Sequence, residues 1–386
     1  MRDCRLVAED EKLPKQSSGR GAHGWAIVDS PLDAGWGGCK TATAQCWDVR
    51  KLESAAARAL CESTVRMRYL LSANMLVEDL QNFAKVASPR GDRHPSNGTL
   101  PAVKYCLITA VRDEEECIAA TIESVLGQTI RPTEWIIVED GSTDARAKIL
   151  DRYAREYSWI QILHRQNRAF RSTGGGIEAF LDAYRSLRSP DWEYLVNLDG
   201  DLTFAPDYFE NCFQYFRDMP RLGIAGGTMY VQAGKHLQLE TAPSFHVRGG
   251  TKIYRRDCWE NLGGLVCLGW DTVDEIKANQ LGWRTQSFPD VQLLHHRATG
   301  AAWGAWGNAV NDGEADYLVG YHTLFFFLKC IRHIFQRPYL VRSFGMAYGF
   351  LRCVVLRTPQ ITNGELKDYL RRQQLRRLLG MSSIWK

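Results

Sequence analysis

Two carboxylates one small residue apart, in Asn197-Leu198-Asp199-Gly200-Asp201, follow an apolar run. That spacing suits a hard divalent cation shared with a diphosphate, whose charge the cation neutralises. Read without chemistry, Asp-Gly-Asp is a turn. A second cluster, Glu139-Asp140-Gly141-Ser142-Thr143-Asp144, offers carboxylates to the hydroxyls of a ribose or the edge of a base, with Gly141 permitting a tight turn. A helix cap built from Asp and Ser is the alternative.

In Gly269-Trp270-Asp271-Thr272-Val273-Asp274-Glu275, leading into a helix that ends near Gly282-Trp283, Asp271 suits a general base that deprotonates an attacking hydroxyl. An acid at a helix start is also favoured by the helix dipole alone. Leu294-His295-His296-Arg297 supplies imidazoles for a metal shell or a guanidinium for phosphate. Adjacent histidines on a strand face opposite ways, so at most one is a ligand, and an ordinary structural histidine is the alternative for each. The segment from Arg165 to Gly176, with Arg165 and Arg171, places cations and glycines where a diphosphate can approach. It lacks the Gly-Lys-Ser or Gly-Lys-Thr ending of a P-loop, and no Gly-x-Gly-x-x-Gly follows the first strand, which argues against a kinase or a dehydrogenase.

These clusters need a scaffold. Apolar runs at Tyr105 to Ala110, Trp135 to Glu139, Ile160 to Leu163 and Tyr194 to Leu198 predict strands. Between them, Glu115 to Leu126, Asp144 to Tyr157, Gly176 to Leu187 and Pro206 to Phe216 predict helices, with Ser142 or Thr143 capping the second and Pro206 starting the last. Such alternation implies an α/β fold with a mainly parallel sheet flanked by helices, binding ligands at the carboxyl ends of its strands.

The 386 residues with 45% apolar content allow one catalytic domain with extensions at both ends. Residues 1–49 are polar and aperiodic, 50–87 have helical spacing and 88–101 read as a linker, so 1–100 is expected to be poorly ordered or helical and 101–312 catalytic. Eleven scattered cysteines fit reduced thiols better than a disulfide framework, and the polar, acidic N-terminus does not read as a signal peptide. The expected location is therefore cytoplasmic. The net charge of +4 hides an asymmetry: residues 329–386 hold 12 Lys or Arg against two acids, leaving the rest with 36 basic to 42 acidic. These charges lie among apolar runs too broken for a spanning helix. Residues 313–386 are expected to form basic amphipathic helices on an anionic membrane surface, peripheral on its cytoplasmic face, rather than to bind nucleic acid.

Together the clusters resemble family 2 glycosyltransferases, inverting enzymes of the A-type nucleotide-diphospho-sugar transferase fold, over about 105–300. Tyr105 to Glu115 (YCLITAVRDEE) is similar to that family's opening strand and acidic nucleotide-contacting loop, Glu139 to Asp144 to its uracil and ribose site, and Asp199 to Asp201 to its metal motif. Counting back from Gly282-Trp283 puts Asp271 at the family's base. The resemblance implies donor contacts from Ala110, Arg112, Glu114, Glu115, Asp140, Ser142, Asp199 and Gly200. It implies Mn²⁺ or Mg²⁺ on Asp201, Asp199 and His296, with His295, Arg165 and Arg171 as secondary candidates. His296 through Gly320-Tyr321-His322 resembles a subgroup of bacterial exopolysaccharide and capsule assembly, implying a saccharide or lipid-linked acceptor, and the family's preference for uridine implies a UDP-linked donor.

Two departures matter. Trp270 stands where the family has Glu, and Asp274 and Glu275 follow as alternative bases. The Gln-x-x-Arg-Trp motif of processive synthases is missing near the base, because Gln374 to Arg377 lies far downstream without Trp, so transfer of one sugar is expected. A sugar nucleotidyltransferase needs a glycine-rich, lysine-containing loop after the first strand, and Ala110 to Glu116 has no glycine. A catalytically silent nucleotide-sugar-binding scaffold is the other alternative.

Overall fold

The computed structural model describes residues 102–111, 117–140, 146–165, 175–233, 236–240, 242–265, 270–297, 304–336 and 339–385. The expected N-terminal extension over 1–100 lies outside them, as do Arg112, Glu114, Glu115, Arg171 and the capping residues Ser142 and Thr143.

The first half alternates as the apolar pattern predicts: β1 (Tyr105–Val111), α1 (Ile118–Leu126), β2 (Glu134–Asp140), α2 (Arg146–Glu156), β3 (Ile160–Arg165), α3 (Gly175–Ser186) and β4 (Tyr194–Leu198). These four strands are parallel, β1 lying between β2 and β4, with Leu107 opposite both Trp135 and Val196. Successive side chains on a strand face opposite ways. Tyr105, Leu107, Trp135 and Ile137 thus enter one core beneath α1, while Cys106, Ile108, Ile136 and Val138 enter a second core with Phe180 of α3. Both faces are covered, which is why these strands read as continuous apolar runs. Each fully buried large side chain contributes about 1.5–3 kcal/mol.

The second half is mixed. It comprises β5 (Leu202–Phe204), α4 (Tyr208–Asp218), β6 (Leu222–Ala233), β7 (His236–Leu239), β8 (Thr251–Arg255), α5 (Arg256–Leu262), α6 (Trp270–Gln280) and β9 (Arg284–His295). Pro206 stands in the turn two residues ahead of α4 rather than inside it. The nine-stranded sheet runs β3-β2-β1-β4-β8-β6-β9-β5, with β7 on β6. The expected parallel arrangement occupies β3 to β4; β8 then runs antiparallel to β4 and to β6, and β6 is parallel to β9. Glycines let β6 thread this crowded middle: a β-carbon on Gly226 would lie 2.4 Å from the Thr251 carbonyl oxygen.

The expected C-terminal helices are α7 (Gly304–Val319), α8 (Thr323–Ile334), α9 (Val341–Val355) and α10 (Gly364–Leu378). The expected boundary between residues 312 and 313 falls within α7. Small residues bring α7 and α9 into backbone contact, since a β-carbon on Gly349 would meet the Val310 oxygen at 2.2 Å. Leu366 and Leu370 of α10 join Val319 and Tyr321 around Ile276 of α6, so the C-terminal helices pack on the helix that begins with Trp270-Asp271.

Candidate active site

Strand order reverses at β1, since the chain steps from it through β2 to β3 on one side and then crosses to β4 on the other, and in open α/β sheets such a point opens a crevice at the carboxyl ends of the strands. Ala110 near the end of β1, Asp140 ending β2, Arg165 ending β3 and Asp199 just after β4 all fall along this edge. Arg165 is held on its own element pair: its guanidinium lies 3.2 Å from Asp182 and 3.5 Å from Glu178, both of α3.

The Asp199-Gly200-Asp201 turn is clamped from two sides. The Asp199 N–H donates to the Gly250 carbonyl at 2.9 Å, and the Asn197 side-chain amide donates to the Gly249 carbonyl at 2.6 Å. From the other side the buried Thr121 hydroxyl of α1 donates to the Gly200 carbonyl at 2.8 Å and accepts from the Leu202 N–H at 3.2 Å. One hydroxyl thus satisfies both backbone groups flanking Asp201.

Asp201 is buried, its Oδ2 accepting from Arg297 Nε at 3.0 Å and its Oδ1 lying 3.5 Å from His295 Nε2. Burial opposes its ionisation, but the hydrogen bonds and charges of His295 and Arg297 outweigh it and hold the carboxyl below the usual carboxylate range. Burial likewise disfavours the His295 imidazolium, yet its contacts with Asp201 and Glu240 carry its pKa up to about 9. Glu240, just past β7, faces His295 Nδ1 at 3.3 Å and the Arg248 guanidinium at 4.0 Å. His296 turns elsewhere, its Nε2 pairing with the Thr203 hydroxyl at 3.1 Å, and burial lowers its pKa. The two histidines do part company, and it is His295 that reaches Asp201.

Asp274 and Glu275, the alternative bases, lie buried around Lys252 of β8, which is itself fully buried. The Lys252 ammonium donates to both Asp274 oxygens at 2.9 and 3.1 Å and sits 3.0 Å from Glu275. The Tyr254 hydroxyl donates to Asp274 at 2.6 Å, and Glu275 accepts the Val247 N–H at 2.7 Å and pairs with His246 at 2.8 Å. Burial lifts the Asp274 carboxyl to about 6 against the pull of Lys252. Lys252 stands opposite Asn197 across the β4–β8 pair, so this cluster ties the start of α6 to the strand that delivers Asp199. Asp271 lies in the first turn of that helix.

Oxygen donors from Asp199 and Asp201 match the chemistry of a hard divalent cation. Among the described residues no group of three or more His, Cys, Asp or Glu is arranged to hold a metal. Thr121, Glu240, Gly250 and Lys252 carry no motif in the sequence. They emerge only where the strands and helices meet.

The family model described as "Glycosyl transferase family 2" matches residues 106–266. The putative glycosyltransferase EpsH of Bacillus subtilis (strain 168) is 29% identical over 146 residues, 38% of this chain and 39% of that protein. The cholesterol galactosyltransferase of Borreliella burgdorferi is 31% identical over 98 residues, a quarter of each chain. The matched part thus spans well under half the length of these relatives. A mannosyltransferase from Pyrobaculum calidifontis, PcManGT, solved with GDP-Man and Mn²⁺, superposes over 83% of this chain and 86% of its own at a TM-score of 0.45 and 16% identity. Residues 106–266 of this chain form a glycosyl transferase family 2 domain.

Proposed function

We propose that the protein is a divalent-cation-dependent, inverting glycosyltransferase that moves one sugar from a UDP-linked donor to a hydroxyl of a saccharide or lipid-linked acceptor in polysaccharide or glycolipid assembly. One observation carries this reading: the Asp199-Gly200-Asp201 turn, clamped by Thr121 and Gly250, lies at the carboxyl edge of the sheet where the strand order reverses. Asp199 and Asp201 would hold the cation, Mn²⁺ or Mg²⁺, which when bound would supply charge stabilisation to the departing nucleoside diphosphate.

The chain's own residues do the rest. Asp140 at the end of β2 reads the nucleoside. Arg297 and His295 bring positive charge to Asp201 and hold its carboxylate ionised and oriented. Asp271 takes the acceptor proton as its oxygen attacks; the burial of Asp274 and Glu275 in ion pairs supports Asp271 over them. Catalysis rests on positioning and charge rather than on a covalent intermediate.

The test is binding and turnover of a panel of nucleotide sugars with Mn²⁺ or Mg²⁺, comparing wild type, Asp201→Ala and Asp271→Asn. Metal-dependent binding lost in the first variant, with turnover but not binding lost in the second, is the expected outcome. Failure of every nucleotide sugar to bind with either ion would overturn the reading.

A further inference from the structure

Among the described residues, nothing covers the outer faces of helices α8 and α9. Along α8 and its C-cap, Leu324, Phe327, Ile331 and Phe335 recur every three or four residues and are 38–77% exposed. On α9, Phe344, Tyr348, Leu351 and Val355 do the same at 47–78% exposure. The inner faces are packed: Phe326 stacks on Phe350 at 4.1 Å, with Cys330 and Met346 beside them. The exposed stripes are therefore not failed core. They are joined through the turn at Tyr339 and Leu340, both half or more exposed.

Charge selects what covers this face. The acids of α7 are turned toward the two helices: Asp316 binds Lys329 at 2.8 Å, Asp312 binds Arg342 at 3.2 Å and Glu314 binds Arg352. Arg332 and Arg357, at the margins of the stripes, are exposed to solvent, as are Arg372 and Arg377 on α10. A face that is apolar along its stripes and carries exposed arginines at its margin complements an anionic lipid surface. Length decides the depth. At about 1.5 Å per residue, the 12 residues of α8 and 15 of α9 reach roughly 18 and 22 Å, short of the ~30 Å hydrocarbon layer. No helix among the described residues is long and apolar enough to cross a membrane.

We infer that α8 and α9 form one docking face that lies flat in the surface of an anionic bilayer, the apolar stripes in the acyl boundary and the arginines among the headgroups. The face stands independently of the glycosyl-transfer reading, because neither helix contributes a residue to the site above.

The test uses the full chain and sedimentation with vesicles of phosphatidylcholine alone or doped with phosphatidylglycerol. Wild type is expected to co-sediment with the doped vesicles, less so as salt rises. The double variant Phe335→Ser/Phe344→Ser, checked by circular dichroism and unfolding midpoint, is expected to lose about tenfold or more in partitioning. Arg332→Gln/Arg357→Gln, the second variant, is expected to lose the preference for doped vesicles while keeping the fold. Wild type left in the supernatant with both vesicle types, or a Phe335→Ser/Phe344→Ser protein that partitions like wild type, would overturn the inference. So would a vesicle-free wild-type dimer that this double variant renders monomeric, since the face would then belong to a second copy.

Discussion

Gly250 lies so close to Asp199 that a β-carbon added to it would stand 2.4 Å from Asp199 Oδ2. The obstructed atom is the tip of a side chain, so Gly250→Ala is relieved by turning Asp199 away rather than by moving backbone. We expect a stability loss of about 1–2 kcal/mol at most, with turnover falling roughly 10- to 100-fold through misplacement of one carboxylate. Denaturant unfolding and metal-dependent donor turnover, measured on the same preparation, check the two halves of this expectation.

Thr121 should behave as a positioning residue. Thr121→Val leaves the Gly200 carbonyl and the Leu202 N–H without their shared partner and is expected to destabilise the fold by about 1–3 kcal/mol. The methyl group is not what the turn needs, so Thr121→Ser should recover metal-dependent donor affinity that Thr121→Val loses. Equal affinity in the two variants would refute the hydroxyl's role.

Lys252 sets its single ammonium against two buried carboxylates. Lys252→Met strands Asp274 and Glu275 and should cost about 3–5 kcal/mol in urea unfolding. Adding Asp274→Asn to it should return part of that loss, whereas independent sites would show additive losses.

His295 gives the metal-free protein a pH signature. Its folded pKa of about 9 lies above the ordinary 6.5, so its contribution is fully present below pH 6.5 and disappears as pH rises to 9. The shift corresponds to stability on the order of 3 kcal/mol. With a chelator present, the stability difference between wild type and His295→Gln should narrow across that window. A difference constant from pH 6 to about 9 would contradict the assigned contacts.

The parallel half of the sheet is legible because its strands, buried on both faces, read as apolar runs that stop at an acid: β2 at Asp140, β4 just before Asp199. The mixed half hides its pattern. Glycines interrupt β6 at Gly223, Gly226 and Gly227, positions filled in space by Cys258, Thr251 and Val291. In β8 the buried Lys252 breaks the apolar signature, and its justification lies 22 residues downstream at Asp274. Spacing alone likewise leaves His295 and His296 equivalent. Only the pairing of Leu202 with His295 across β5 and β9, and the reach of Glu240 from beyond β7, separates them.

The joint around Ile276 ties two ends of the molecule together. Leu366 and Leu370 from the C-terminal helices form the outer wall of the helix whose first turn bears Asp271, while Lys252 grips that helix from the sheet side. Shortening the chain to remove its oily face would unroof the helix behind the proposed base, so lost turnover in a truncated protein would report a collapsed wall rather than a missing lipid. Substitutions at the outermost side chains are the cleaner blade.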